Sequence, residues 1–205
     1  LEVLSGDHLG PQMIRHIIDV RYERREVEQT LNEVKETDNV VEMDSGAGIV
    51  GAIIARNYKL MKMISYEANH TLINHIKRLY AHNKIGDLIE VRNEIVMLDA
   101  NAPEKVDCFI RGNFLGSGMV ITKGAENATK VSVPVVGWEE VKEEVKPTIL
   151  LMDIEGAELE FFRYADLSGI RTIIVELHRH IYHRPSMREI RQEILVDKGF
   201  NEDRE

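Results

Sequence analysis

Three stretches of the chain combine residue types that can hold or act on a small polar ligand. The first runs Val40-Val41-Glu42-Met43-Asp44-Ser45-Gly46-Ala47-Gly48-Ile49-Val50-Gly51. It reads as an apolar strand, a turn containing glycine and an apolar helix. Glycine lets the backbone approach a ligand with no Cβ in the way. The N-terminus of the following helix offers partial positive charge to a carboxylate. The second is Glu67, which closes Met63-Ile64-Ser65-Tyr66-Glu67. A carboxylate at a strand end can accept both hydroxyls of a ribose. It lies ~20 residues past the glycines, the spacing that one βαβ unit imposes. The third is the histidine-rich stretch His178, His180 and His183, near Glu176. Imidazoles beside a carboxylate suit a divalent ion. Alternate positions on a strand put only two of them on one face, and no metal ligand is assigned.

The glycine turn and the acid also fit a nicotinamide dinucleotide domain. Val50 stands where the third glycine of a pyrophosphate cradle would fall. A nucleoside ligand without a pyrophosphate, such as S-adenosylmethionine, does not need that cradle.

Elements in a fixed rhythm must position these residues. Residues 12–37 read as one helix, with Ile14, Ile17, Ile18, Val27, Leu31 and Val34 near a 3.6 period. Strands are expected at 40–43, 62–67, 88–91, 148–153 and 172–177. Helices are expected at 49–57, 71–83, 138–145, 157–164 and 186–198. Ser186 and Glu189 form a capping box for the last helix and Gly199 its C-cap. Strands alternating with helices imply parallel pairing through right-handed crossovers. The stretch 106–136 breaks the rhythm. Gly112, Gly116, Gly118 and Gly124 punctuate short β-rich pieces there, such as Lys130-Val131-Ser132-Val133. Met61 and Met63 read as core. Glu139, Glu140, Glu143 and Glu144 read as a solvated helix face.

Composition narrows the class further. The chain has 205 residues, of which 43% are hydrophobic and 30% charged, ordinary for one globular domain. Its net charge is -9 and it has no dense Lys/Arg patch, so nucleic acid and anionic membrane are not expected partners. The single Cys108 excludes an internal disulfide framework and a multi-cysteine zinc site, and fits a cytoplasmic setting. No apolar run approaches the ~20 residues of a membrane span.

Five short stretches then carry a family resemblance. Glu67-Ala68-Asn69-His70 is similar to the Glu-Pro-Asn-Pro of the FkbM family. Val91-Arg92-Asn93-Glu94-Ile95-Val96 resembles its Val-x-Asn-Ala-Ala-Val. Leu151-Met152-Asp153-Ile154-Glu155-Gly156-Ala157-Glu158 resembles its Lys-Ile-Asp-Val-Glu-Gly-Ala-Glu, and Ile174-Val175-Glu176-Leu177-His178 its closing Ile-x-Glu-x-His strand. Tyr22-Glu23 resembles a Tyr-Glu that precedes the glycine motif in some members. In the register with Glu-x-Gly-x-Gly-x-Gly, Glu42 is the acid, Gly46 and Gly48 are the later glycines, and Asp44 stands at the first glycine. If that position needs φ > 0, Asp costs ~1–2 kcal/mol more than Gly.

The resemblance implies an S-adenosylmethionine-dependent methyltransferase of the class I, Rossmann-like type. The expected fold is α/β, a doubly wound, mostly parallel sheet with a β-rich insertion before the fourth core strand and an incomplete C-terminal strand pair. One domain would span 1–205: an N-terminal helical segment (1–38), a cofactor-binding half (39–105), the insertion (106–146) and a second half (147–205). The implied cofactor-binding positions are Glu42, Asp44, Gly46, Gly48, Glu67, Ala68, Asn93 and Glu94. The implied reaction is O-methylation of a hydroxyl on a small molecule, sugar or lipid. Candidates for the base are Asp153, Glu155 and His178, all at C-terminal strand ends. Asp153 and Glu155 have a competing structural role, capping the next helix at Gly156 or orienting the cofactor's amino group. Two alternatives stay open: a non-catalytic domain that keeps the fold as a binding module, and a nicotinamide-dependent oxidoreductase.

Overall fold

Five apolar segments lie side by side as parallel strands in the computed structural model, which describes residues 1–98, 102–110, 129–154, 156–178 and 181–202. They are β1 (Asn39–Met43), β2 (Lys62–Tyr66), β3 (Glu90–Arg92), β7 (Ile149–Met152) and β8 (Thr172–Val175). Their order across the sheet is β3-β2-β1-β7-β8, every neighbour parallel. The order reverses between β1 and β7, so the crevice at the C-terminal ends of those strands is where ligands enter folds of this kind. Among the described residues no further strand follows β8.

Strand pleating splits the core in two. Val40, Met63, Ile149 and Leu151 face one cluster, while Val41, Met43, Ile64, Leu150 and Met152 face the other. Burial on both faces is why these strands read as continuous apolar runs rather than alternating ones. The first cluster is covered by α3 (Ile49–Asn57) and α4 (His70–His82). The second is covered by α5 (Trp138–Val145) and α6 (Glu158–Tyr164). Trp138 anchors that second layer. Its indole N–H donates to the Asp166 carbonyl at 2.9 Å, and its ring meets Phe161 edge-on at 5.1 Å.

Between β3 and α5 sits a second, three-stranded sheet of order β4-β6-β5, with β4 (Ile95–Met97), β5 (Lys105–Ile110) and β6 (Thr129–Gly137). β5 and β6 are antiparallel and β4 joins β6 in parallel. The β-rich part therefore starts at Ile95. Gly112, Gly116, Gly118 and Gly124 lie outside the described residues.

Three expectations need correction. The stretch 12–37 is two helices, α1 (Pro11–Ile18) and α2 (Arg24–Glu33). Val20 and Glu23 take positive φ between them, at 55° and 42°. The N–H groups of Arg21 and Tyr22 both close onto the His16 carbonyl there. The last helix starts before Ser186. His183 is the N-cap of α7 (Arg184–Arg188), and Pro185 sits in its first turn, where the missing N–H costs nothing. A π-helical stretch (Glu189–Ile194) and α8 (Leu195–Asp197) continue it, and Glu189 pairs with Arg163 instead of closing a capping box. Gly199, at φ 92°, does end the segment. Met63 is core but Met61 is 76% exposed, because it precedes β2.

Candidate active site

The turn after β1 is held in a tight, left-handed course. Asp44, Gly46 and Gly48 have φ of 66°, 52° and 70°. The N–H groups of Asp44 and Ser45 both donate to the Tyr66 carbonyl at 3.0 Å, tying the bend to the end of β2. Gly48 is required twice over. Its φ disfavours a side chain, and a Cβ there would sit 2.7 Å from Ile76 Cγ2. Asp44 occupies the first-glycine position at a φ that glycine adopts freely and Asp only at a cost.

Glu67 lies against this bend, 2% exposed. One carboxylate oxygen accepts from the Gly46 N–H and the other from the Asn69 N–H, both at 2.7 Å. The Asp44 carboxyl also hydrogen-bonds Glu67. Burial pushes the Glu67 carboxyl up to about 7 despite those bonds. A carboxylate has about four lone-pair sites, so it keeps acceptor capacity beyond the two backbone bonds. Asn69 caps α4 through its side chain, which accepts from the Thr71 N–H at 3.1 Å. Asn93 braces the same corner, donating to the Glu67 carbonyl at 2.8 Å and the Ala68 carbonyl at 3.0 Å. Ala68 is half-buried beside them.

Glu42 is placed differently. It is 3% exposed and receives bonds from the Ser65 hydroxyl and the Gly51 N–H. Burial raises it to about 7. It sits under the bend, and a Cβ on Gly51 would fall 2.6 Å from its Oε2. Glu94 is half-buried with its acidity weakened by burial. Its charged neighbours are Arg92, Glu140 and Glu144, on the side of α5 rather than of the bend.

Asp153 follows β7, and its N–H donates to the Met43 carbonyl at 3.2 Å, so it stands beside the bend. Its carboxyl is pushed up to about 9, first by burial and then by the charges of Asp44, Glu176, Glu26 and Glu23. His178 Nε2 lies 3.5 Å from its Oδ1. Asp153 does not cap α6. The Gly156 N–H goes to Glu158 at 2.8 Å, and the buried Glu158 also accepts from the Tyr182 hydroxyl at 2.6 Å. Glu155 and His180 lie outside the described residues.

The fold also brings in groups the motifs do not name. Glu26 of α2 is half-buried and raised to about 8, chiefly by burial and by Glu42. Tyr22 reaches the bend, its hydroxyl 3.9 Å from the place of a Gly46 Cβ. The Tyr22-Glu23 pair was the only trace of this in the sequence. Glu26 had none, because its partners lie on three other segments.

The methyltransferase FkbM domain model matches residues 49–202. The match begins at the first residue of α3, just past the bend, and includes Glu67, Asn93, Asp153 and His178. No curated protein matches the chain significantly. Among solved structures, P. horikoshii TYW2 in complex with MeSAdo is similar at 14% identity and a TM-score of 0.46, over 85% of this chain and 51% of that one. A SAM-dependent methyltransferase from Geobacter sulfurreducens in complex with S-adenosyl-L-homocysteine is similar at 10% identity and a TM-score of 0.30, over 37% of each chain. This chain thus spans about half or less of the solved structures it matches. No helix among the described residues is long and apolar enough to cross a membrane. With the family model covering three quarters of its length, the chain belongs to the methyltransferase FkbM domain family.

Proposed function

We propose that this chain binds S-adenosylmethionine and directs methyl transfer to a hydroxyl of a small molecule, sugar or lipid. The observation that carries the reading is the contact between Glu67 and the bend. A carboxylate at the end of one strand and a left-handed turn at the end of its neighbour are joined by a 2.7 Å hydrogen bond. The residues fit an adenosyl group. Glu67 is pre-oriented by two backbone N–H groups and, beyond these and the Asp44 bond, keeps an acceptor site for a ribose hydroxyl. Gly46 and Gly48 carry no side chain to obstruct close approach. When bound, S-adenosylmethionine supplies a methyl group activated on a sulfonium.

The chain's own contribution is orientation and proton handling. Holding a hydroxyl in line and in contact with the methyl donor supplies most of the available acceleration. A base that takes the hydroxyl proton adds to it. Asp153 and His178 stand together at the strand end next to the bend, within reach of one another, and either can take that proton. The carboxylates around them favour a cationic ligand over an anionic one.

Calorimetry with S-adenosylhomocysteine tests the reading. Binding is expected to the wild type and to weaken at least ~10-fold in Glu67→Ala, whose loss removes a charge-assisted acceptor worth ~1.5–3 kcal/mol. No binding to the wild type, under conditions where it is folded, would defeat it.

One observation favours a second reading, a non-catalytic domain of the same fold. Asp44 takes a strained conformation where the motif has glycine, and its carboxyl hydrogen-bonds Glu67. If Asp44→Gly converted a non-binding wild type into one that binds S-adenosylhomocysteine, the second reading would stand. Choice of the acceptor is assigned to the three-stranded sheet between β3 and α5, on the general ground that segments inserted on a rigid scaffold carry binding residues.

A further inference from the structure

A second set of ligand-bearing side chains gathers at the ends of β7 and β8. Met152 and Val175 are partners in register, so the residues after them, Asp153 and Glu176, leave the sheet side by side. The Glu176 N–H still bonds the Met152 carbonyl at 3.1 Å. His178 follows two positions after Glu176, the separation that returns a side chain to the same side of an extended segment. One oxygen from each carboxylate and one ring nitrogen of His178 all lie within 4.8 Å of one another.

Acidic pairs at strand ends are common and mean little alone. Two further observations separate this one. Asp153 Oδ1 is buried and receives no hydrogen bond, an uncommon state for a buried polar atom. The charges around it are also of one sign: Glu23, Glu26 and Asp44 join Glu176. Among the described residues, no lysine or arginine forms an ion pair with Asp153 or Glu176. Carboxylates from several segments thus converge on this point, with His178 beside them.

We infer that Asp153, Glu176 and His178 bind a divalent metal cation, beside the β1 bend, and that this cation holds the oxygen of the methyl acceptor. The second clause rests on the methyl-transfer reading; the first does not. The donor set names the class. One imidazole with two carboxylates suits Mn²⁺ or Zn²⁺, whereas an all-oxygen set would suit Mg²⁺ or Ca²⁺. Bonds of ~2.1 Å put adjacent ligand atoms ~3 Å apart, so the side chains need close by only ~1–2 Å. Three protein ligands leave further positions for water or for a hydroxyl oxygen. In this arrangement Asp153 and His178 also position the acceptor, through the cation.

The test is titration of the full chain, freed of metal by dialysis against EDTA, with MnCl₂, ZnCl₂ and MgCl₂ in separate calorimetric runs. Mn²⁺ or Zn²⁺ is expected to bind at one site per chain. Asp153→Asn and His178→Gln are expected to weaken that binding at least ~10-fold, while Glu139→Gln on the exposed face of α5 leaves it unchanged. Circular dichroism confirms that each variant is folded. If neither Mn²⁺ nor Zn²⁺ binds, or if both site variants bind like the wild type, the inference is overturned; a preference for Mg²⁺ alone also overturns the assigned class. S-adenosylhomocysteine is titrated separately into the EDTA-treated chain. Binding there with no metal site leaves the methyl-transfer reading standing and removes this one. A metal site without nucleoside binding does the reverse.

Discussion

The mouths of two neighbouring strand pairs are built on opposite principles. At β1 and β2 the carboxylate of Glu67 is almost wholly buried and both its oxygens accept backbone N–H groups. At β7 and β8 the carboxylates of Asp153 and Glu176 are partly open to solvent, and the buried oxygen of Asp153 accepts nothing. The first mouth is finished by the protein itself, a shape held ready for a ligand. The second crowds carboxyl groups together, with His178 beside Asp153, and burial and mutual repulsion hold the Asp153 proton to higher pH.

The largest test of this contrast is on the finished side. Gly48→Ala forces a side chain into the left-handed region, ~1–2 kcal/mol, and into Ile76, ~1–3 kcal/mol of overpacking. Urea unfolding should show a loss of ~2–5 kcal/mol. Gly46→Ala meets nothing nearer than the Tyr22 hydroxyl at 3.9 Å, so only the conformational part should appear. Equal losses for the two would mean that the bend is not shaped by its contacts with α4.

A smaller effect of opposite sign is expected at Asp44. Asp44→Gly relieves the left-handed cost and should stabilise by ~1 kcal/mol, while tightening nucleoside binding in calorimetry. A loss of stability would show that the Asp44–Glu67 hydrogen bond outweighs the strain.

Stability should also slope with pH. Glu42, Glu67, Glu26 and Asp153 all hold their protons to higher pH in the fold than their ordinary values, to about 7, 7, 8 and 9. Between pH 5 and 8.5 the native state therefore binds more protons than the unfolded chain, and stability falls as pH rises. The contribution is fully present below the ordinary carboxylate range and is lost through those raised values. Glu144, lowered to about 2 by the hydrogen bond from Arg92, titrates well below this window. Thermal melts at intervals across it should show a falling Tm. Asp153→Asn should flatten the upper part of the fall, and a divalent cation should do the same in the wild type. A Tm that climbs over this range would refute the picture of unneutralised acids at β7 and β8.

Much of the architecture was legible before any coordinates. Ile49–Asn57 and Trp138–Val145 read correctly to the residue, because a glycine before each and an apolar stripe along each define one helix and no other. The five parallel strands were legible because burial on both faces leaves unbroken apolar runs. The break at 19–23 was not legible, since Val20 and Tyr22 keep apolar residues three and four positions past Ile17 and Ile18. Ser186 misled because a capping box is a local pattern, and Pro185 one residue earlier set the start instead.

What the sequence by itself determined was the order of strands and helices, the glycines at the bend and the identity of the acid at the end of β2, since each follows from local periodicity and spacing. Which acids share one space was decided only by the tertiary structure. Glu23 caps α2 and Glu26 lies in it, while Asp44 comes from the bend, Asp153 from the end of β7 and Glu176 from the end of β8, and no spacing in the chain links them. Parallel pairing through crossovers brings distant strand ends together, and electrostatic coupling depends on that distance in space, not on separation along the chain.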